Sequence, residues 1–151
     1  MEIVKLPTKI LKQKLVQVPL SEIKNGAHTA LIDQMHAQML AANGVGLAAN
    51  QVGQNFAFFI IDKKLAQEHA VPDVFFNPEI TEYSKDTDEI EEGCLSIPEY
   101  YILIRRAKKI MFKAVGPDGK KIKFRARGFL ARVLQHETDH LNGLTINNRA
   151  K

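Results

Sequence analysis

Apolar residues recur at helical spacing across residues 29–42. Ile32, Met35, Met39 and Leu40 share one face, with Asp33, Gln34 and Gln38 outside it. The spacing predicts a helix there, stopped by Asn43-Gly44. Residues 56–61 form a continuous apolar run closed by Asp62, and residues 74–76 a shorter one stopped at Asn77-Pro78; both read as strands. Residues 108–115 and 120–126 flank Gly116-Pro117-Asp118-Gly119, a turn sequence that joins them as a hairpin. Residues 129–141 give a second helix, with Phe129, Leu130, Val133 and Leu134 on its apolar face and Gly143 as its stop. The order helix, strands, hairpin, helix predicts an α+β fold with antiparallel or mixed sheet. The sequence shows no regular strand-helix alternation, internal repeat, long linker or low-complexity tract.

Composition adds bounds. A chain of 151 residues with 45% hydrophobic content suits one domain spanning residues 1–151. No apolar run approaches the roughly 20 residues that cross a bilayer. Met1-Glu2-Ile3-Val4-Lys5 carries no signal-peptide apolar block. One cysteine makes no internal disulfide, which suits a reducing cytosol, so the expected location is cytoplasmic. The net charge of +4 is uneven: residues 82–92 hold six acids against one lysine, and residues 105–127 hold ten basic residues against Asp118. Such a basic stripe reads as a solvated hairpin face or as a contact for RNA phosphate. Zinc-finger spacing and basic-aromatic interleaving are both missing, so no DNA partner is expected.

The sharpest chemistry lies in His136-Glu137-Thr138-Asp139-His140. On a helix, residues four apart stand one above the other, so both imidazoles can face one cation with Glu137 beside the reacting water. A metal site needs a third protein ligand. The residues after His140 offer no His, Cys, Asp or Glu, so that ligand comes from upstream. Cys94, in Glu92-Gly93-Cys94-Leu95-Ser96, would complete a set that leaves a fourth position open for water. His28, His36 and His69 read as surface or half-buried histidines instead. Gly44-Val45-Gly46-Leu47-Ala48-Ala49-Asn50-Gln51 lets backbone run close to a neighbour. It lacks the spacing of a dinucleotide or Walker loop, and on its own it reads as a tight turn.

Together these three segments resemble the peptide deformylase family, whose motifs are Gly-x-Gly-x-Ala-Ala-x-Gln, Glu-Gly-Cys-x-Ser and Gln-His-Glu-x-Asp-His. They occur here in order at 44–51, 92–96 and 135–140, and the likeness extends over essentially the whole chain. It implies an α+β single domain with mixed or antiparallel sheets packed around a central helix carrying the His-Glu-x-x-His metal motif. It implies removal of the formyl group from the amino-terminal methionine of nascent polypeptides. The implied ligands of one divalent metal are Cys94, His136 and His140. Ferrous iron is the implied ion, with zinc or nickel in purified protein. Glu137 is the implied proton carrier, and the Gln51 amide and Leu95 backbone N–H the implied oxyanion donors. Gly44, Val45, Gly46, Glu92 and Gly93 are expected in the substrate groove. Arg106 is the expected partner of Glu92, and Asp139 is expected to bond nearby groups or solvent.

Two departures from the family stand out. Asn43 and Tyr101 occupy places that often hold an acid and an arginine, which removes a charge pair from the groove rim. The chain stops at Lys151, where many members continue into a longer terminal helix, so the expected ribosome contact is transient at most. The expected protein is a monomer acting on N-formylmethionyl peptides, without a membrane. A metalloamidase for another acyl group and a noncatalytic metal protein stay open as alternatives.

Overall fold

The computed structural model describes residues 1–149; Lys151, where the chain stops, lies outside the described residues. Five helices and seven strands follow one another as α1 (Leu20–Lys24), α2 (Thr29–Ala41), β1 (Gly46–Ala48), β2 (Phe58–Ile61), α3 (Lys63–Glu68), β3 (Val74–Tyr83), β4 (Thr87–Cys94), β5 (Ile97–Ala107), β6 (Lys109–Val115), β7 (Lys121–Arg127), α4 (Gly128–Leu141) and α5 (Ile146–Arg149). They form a five-stranded sheet ordered β1-β2-β3-β6-β7 and a two-stranded β4-β5 ribbon. Every pairing among the described residues is antiparallel. Among the described residues no helix is long and apolar enough to cross a membrane.

The α+β class expected from the sequence holds, but one part of that expectation is corrected. The metal site is not a His-Glu-x-x-His motif on a central helix; it is the triad Cys94, His136 and His140. α4 brings two of the three groups, and the third arrives at the end of β4 in the separate ribbon. Two imidazoles one helical turn apart cannot surround a cation, so the site has to form between two elements.

The core sits between the five-stranded sheet and the helices α2 and α4. Phe58, Phe59, Phe75 and Phe112 are fully buried there. Phe75 meets Phe112 edge to face, with centroids 5.2 Å apart, and lies 5.4 Å from Phe59. Such geometry favours the ring quadrupoles. On α2, Met35 and Met39 are buried as expected, whereas Leu40 is 63% exposed and His36 is buried in its place. With about 100° per residue, the face through Met35 and Met39 is nearer to position 36 than to position 40. The pair His36–Asp73, 3.0 Å apart, accounts for a histidine buried more deeply than its composition suggested. His28 is buried likewise, with Glu22 at 3.0 Å and the Phe56 ring centroid at 4.5 Å, while His69 is exposed.

β3 runs through Asn77-Pro78, where the sequence predicted a stop. Its register with β6 shifts between Phe76 and Glu79, and a bulge is where a strand tolerates a residue without an N–H donor. Asn77 also ties the amino-terminal segment to the sheet: its amide donates to the Val18 carbonyl at 2.9 Å and accepts from the Val18 N–H at 2.8 Å.

Replacing Phe75 by Ala removes the hub of the ring cluster and leaves a cavity. Urea unfolding is expected to show a loss of about 3–5 kcal/mol. A loss below about 1 kcal/mol would remove Phe75 from the centre of the core.

Candidate metal centre

β4 and β5 are locally held in register from Thr87↔Ala107 to Gly93↔Tyr101, and the register then slips so that Cys94 faces Ile97. That slip turns the chain tightly at Leu95-Ser96 and presents Cys94 toward α4. The Leu6 N–H donates to the Ser96 carbonyl (3.0 Å) and the Val4 N–H to the Gln51 carbonyl (2.6 Å), so the amino-terminal segment holds both site loops. The Asn50 amide donates to the His140 carbonyl at 2.7 Å and anchors the end of α4.

Cys94 Sγ lies 3.3 Å from His140 Nε2, which lies 3.3 Å from His136 Nε2. A tetrahedral centre with ligands at ~2.0–2.3 Å sets its donor atoms about 3.3–3.7 Å apart, so the triad fits one cation. The imidazoles are prepared for it. His136 Nδ1 lies 3.0 Å from Glu92 Oε1, and a proton donated there leaves the Nε2 lone pair for the metal. Burial, together with the charges of His136 and Arg106, pushes His140 well below the usual histidine value, so it is a neutral donor. Burial also works against charge on His136. Hydrogen bonds with Cys94 and Glu92 and the Glu137 charge outweigh it and raise its pKa to about 10.

The groove beside the triad, about 680 Å³, is lined by Gly44, Val45, Gly46, Gln51, Glu92, Gly93, Leu95 and Glu137 among others. Gly46 passes directly beneath Glu137: a Cβ there would stand 2.6 Å from Oε2. Glu137 is buried, its Oε1 has no hydrogen-bond partner among the described residues, and its Oε2 is 3.9 Å from His136 Nε2. Burial dominates its titration and raises the carboxyl to about 7, despite the nearby positive charges of His136 and Arg106. The Gln51 side-chain oxygen Oε1 accepts from the Ala48 N–H (3.0 Å), which aims its Nε2 at Cys94 Sγ (3.6 Å) and Ser96 Oγ (3.2 Å).

Glu92 borders the groove but is itself buried, and its oxygens are taken by protein groups. Arg106 donates Nε to Oε2 (2.6 Å) and Nη2 to Oε1 (3.0 Å), and Arg132 donates Nη1 to Oε2. Arg106 Nη1 continues to Asp139 (2.9 Å), which also accepts from Arg149. Burial raises the Glu92 pKa, but hydrogen bonds from His136 and Arg106 win and hold it at about 2. Tyr101, 66% exposed, lays its ring over Gly93, where a Cβ would meet Cε1 at 2.5 Å. Asn43 takes φ 57° at the end of α2 and lines the groove.

Arg132 and Asn50 were not singled out by sequence, and Ser96 was read only as the last position of the cysteine motif. Arg132 had one legible signal: it lies four residues before His136, on the same helix face. Phe129 was expected on the buried face of α4 but is 57% exposed at the groove. It stands in the first turn of α4, between the metal groove and the cleft lined by Arg127.

Glu92→Gln removes the charge that two buried arginines share. The folded pKa lies below the unfolded value, so its stabilisation is complete above about 4.5 and is lost as pH falls toward 2. Urea unfolding in chelator should show the variant about 3 kcal/mol less stable at neutral pH, with the gap closing between those values. A gap independent of pH would contradict this account.

The family described as polypeptide deformylase matches residues 1–151. A peptide deformylase of Mesorhizobium japonicum is 42% identical over 139 residues, 92% of this chain and 77% of that protein. One from Dictyoglomus thermophilum is 42% identical over 149 residues, 99% of this chain and 92% of that one. The crystal structure of peptide deformylase from Thermotoga maritima superposes with a TM-score of 0.89 at 35% identity, covering 99% of this chain and 97% of that chain. The actinonin-bound class I type b enzyme from Acinetobacter baumannii gives 0.90 at 36% identity, covering 100% and 98%. Sequence, fold and triad thus agree over the full length: the chain belongs to the polypeptide deformylase family, and it is a metal-dependent hydrolase that removes the N-formyl group from the amino-terminal methionine of nascent polypeptides, releasing formate.

Proposed function

We propose that residues 1–151 work as one catalytic domain in which Glu137 carries the proton, and the observation behind this is its buried carboxyl beside the triad, whose Oε1 has no hydrogen-bond partner among the described residues. Cys94, His136 and His140 would hold the ion. Ferrous iron is the proposed native metal, with zinc or nickel able to take its place in purified protein, since a thiolate and two imidazoles suit each of them. When bound, the metal supplies a Lewis acid that polarises the formyl carbonyl and acidifies water. Glu137 Oε2 takes the proton from the attacking water and later delivers it to the leaving amine. A carboxyl whose pKa lies near neutrality suits both transfers. The Gln51 amide and the Leu95 N–H face the charge that develops on the former formyl oxygen. Gly44, Val45, Gly46 and Gly93 line the path of the peptide. Arg106 and Asp139 act at one remove, by fixing Glu92 and through it the ring of His136. The proposed setting is a cytoplasmic monomer in transient contact with ribosomes.

Release of the free amino group from formyl-Met peptides, with formate measured alongside, run anaerobically on iron-loaded protein against acetyl-Met and unmodified peptides, tests the reading; equal amine release from the acetyl peptide would point to a broader amidase.

The ligand set is checked by elemental analysis. About one metal equivalent per chain is expected, with most of it lost in Cys94→Ala, His136→Ala and His140→Ala. Full retention in all three would sink the assignment.

Glu137→Gln keeps size and removes the basic oxygen. Metal content and fold should persist while kcat/KM falls roughly 10²–10⁴-fold. A change within about threefold would mean that another group moves the proton.

Gln51→Leu deletes the amide donor at similar bulk. An interaction made only in the transition state lowers kcat and kcat/KM together. The expected loss in kcat approaches the 10²–10³ seen on the order of one donor, with KM nearly unchanged. A raised KM with normal kcat would instead assign Gln51 to substrate binding.

A further inference from the structure

The outer face of the β6–β7 hairpin carries a basic array that the catalytic reading does not use. Lys121, Lys123, Arg125 and Arg127 are exposed and alternate along β7 with Ile122, Phe124 and Ala126, which turn toward the core. Across the ladder, Lys109 stands opposite Arg127 and Lys113 opposite Lys123. Like charges directly opposite destabilise a strand pair. Among the described residues, Lys113 pairs with Glu79 at 2.9 Å, and the other five basic side chains form no ion pair. Glu79 and Glu82 on β3 are the acids bordering this face. β7 is also an edge of the sheet, and all four of its basic side chains are exposed among the described residues.

We infer that this face docks the phosphate backbone of RNA. Alternate residues on a strand stand about 6.6–6.8 Å apart, which makes a straight row about 20 Å long. A regular row of positive charge suits a ligand whose own charge repeats along its length, as a nucleic-acid backbone does. Among the described residues the face offers no exposed aromatic ring for stacking on bases and no exposed aliphatic side chain to enter a bilayer; Met111 is half-buried and Val115 packs against the core. The choice of RNA rests on the action on nascent polypeptides, which leave an RNA-built machine. The position agrees with that choice. β7 runs straight into α4, and Arg127 lines a cleft that shares Ile90, Phe129 and Arg132 with the metal groove. RNA held on β7 therefore keeps the groove mouth beside the emerging chain.

The test uses the metal-loaded enzyme and a fluorescent RNA hairpin, with anisotropy read across a potassium chloride series. The parent should bind, with log K falling about 0.7–0.9 per decade of salt for each phosphate neutralised. Lys121→Gln/Lys123→Gln/Arg125→Gln should flatten that slope by about 2–3. Lys9→Gln/Lys12→Gln/Lys14→Gln removes the same charge elsewhere on the exposed surface and should keep the parental slope. Formate release from a short formyl-Met peptide should be unchanged in both triples, which reports folding and keeps the catalytic reading separate from the docking one. No RNA binding by the parent, equal losses in the two triples, or binding to phosphatidylglycerol vesicles without binding to RNA would each overturn the inference.

Discussion

Glu92 offers two oxygens to four donors: Arg106 through Nε and Nη2, Arg132 through Nη1, and His136 through Nδ1. Three elements meet there. Glu92 comes from β4, Arg106 from β5, and Arg132 and His136 from α4. The ribbon has a thin apolar contribution of its own, and most of its outward positions are exposed. Its attachment to the helix is therefore largely ionic, and Cys94 reaches the histidines only because that attachment sets its place. A buried ionic cluster of this kind is costly to desolvate, and it is tolerable when every lone pair is used. Asp139 and Arg149 extend the same logic, since each charge brought inside meets an opposite one.

Two glutamates a few residues apart in space behave in opposite ways for this reason. Glu92, surrounded by donors, stays ionised far into acid, while Glu137, buried with an unpartnered oxygen, approaches neutrality before it loses its proton. Environments that separate the pKa values of like groups are how one site obtains both a fixed charge and a mobile proton. The fixed charge holds the ring of His136; the mobile one is the proton carrier proposed above.

Much of the site was legible because its chemistry is local. His136 and His140 follow from helical spacing, and the lone cysteine from the need for a third ligand. The long helices and the β6–β7 hairpin were legible from periodicity and turn residues. The ribbon was not. Half of residues 87–94 are acidic and most are exposed, so they show no inward-outward alternation, and what holds them as a strand is pairing with β5 and ion pairs to α4. Pro78 misled in the other direction, because a bulge that accepts it depends on the partner strand. Arg132 escaped notice because an arginine in a sequence carries no sign that its charge will be buried.

The close passage of Gly46 under Glu137 has a consequence for how such a chain can change over generations. Every other residue brings a Cβ, and at this position the first heavy atom it would meet is a carboxylate oxygen 2.6 Å away. Position 46 is thus tied to a neighbour that lies 91 residues on in the chain, whose carboxyl would have to shift for any Cβ. A lineage that tried alanine there would have to move the acid to keep it. The proton transfer proposed for Glu137 thus sets a requirement on a residue that owns no reactive atom at all.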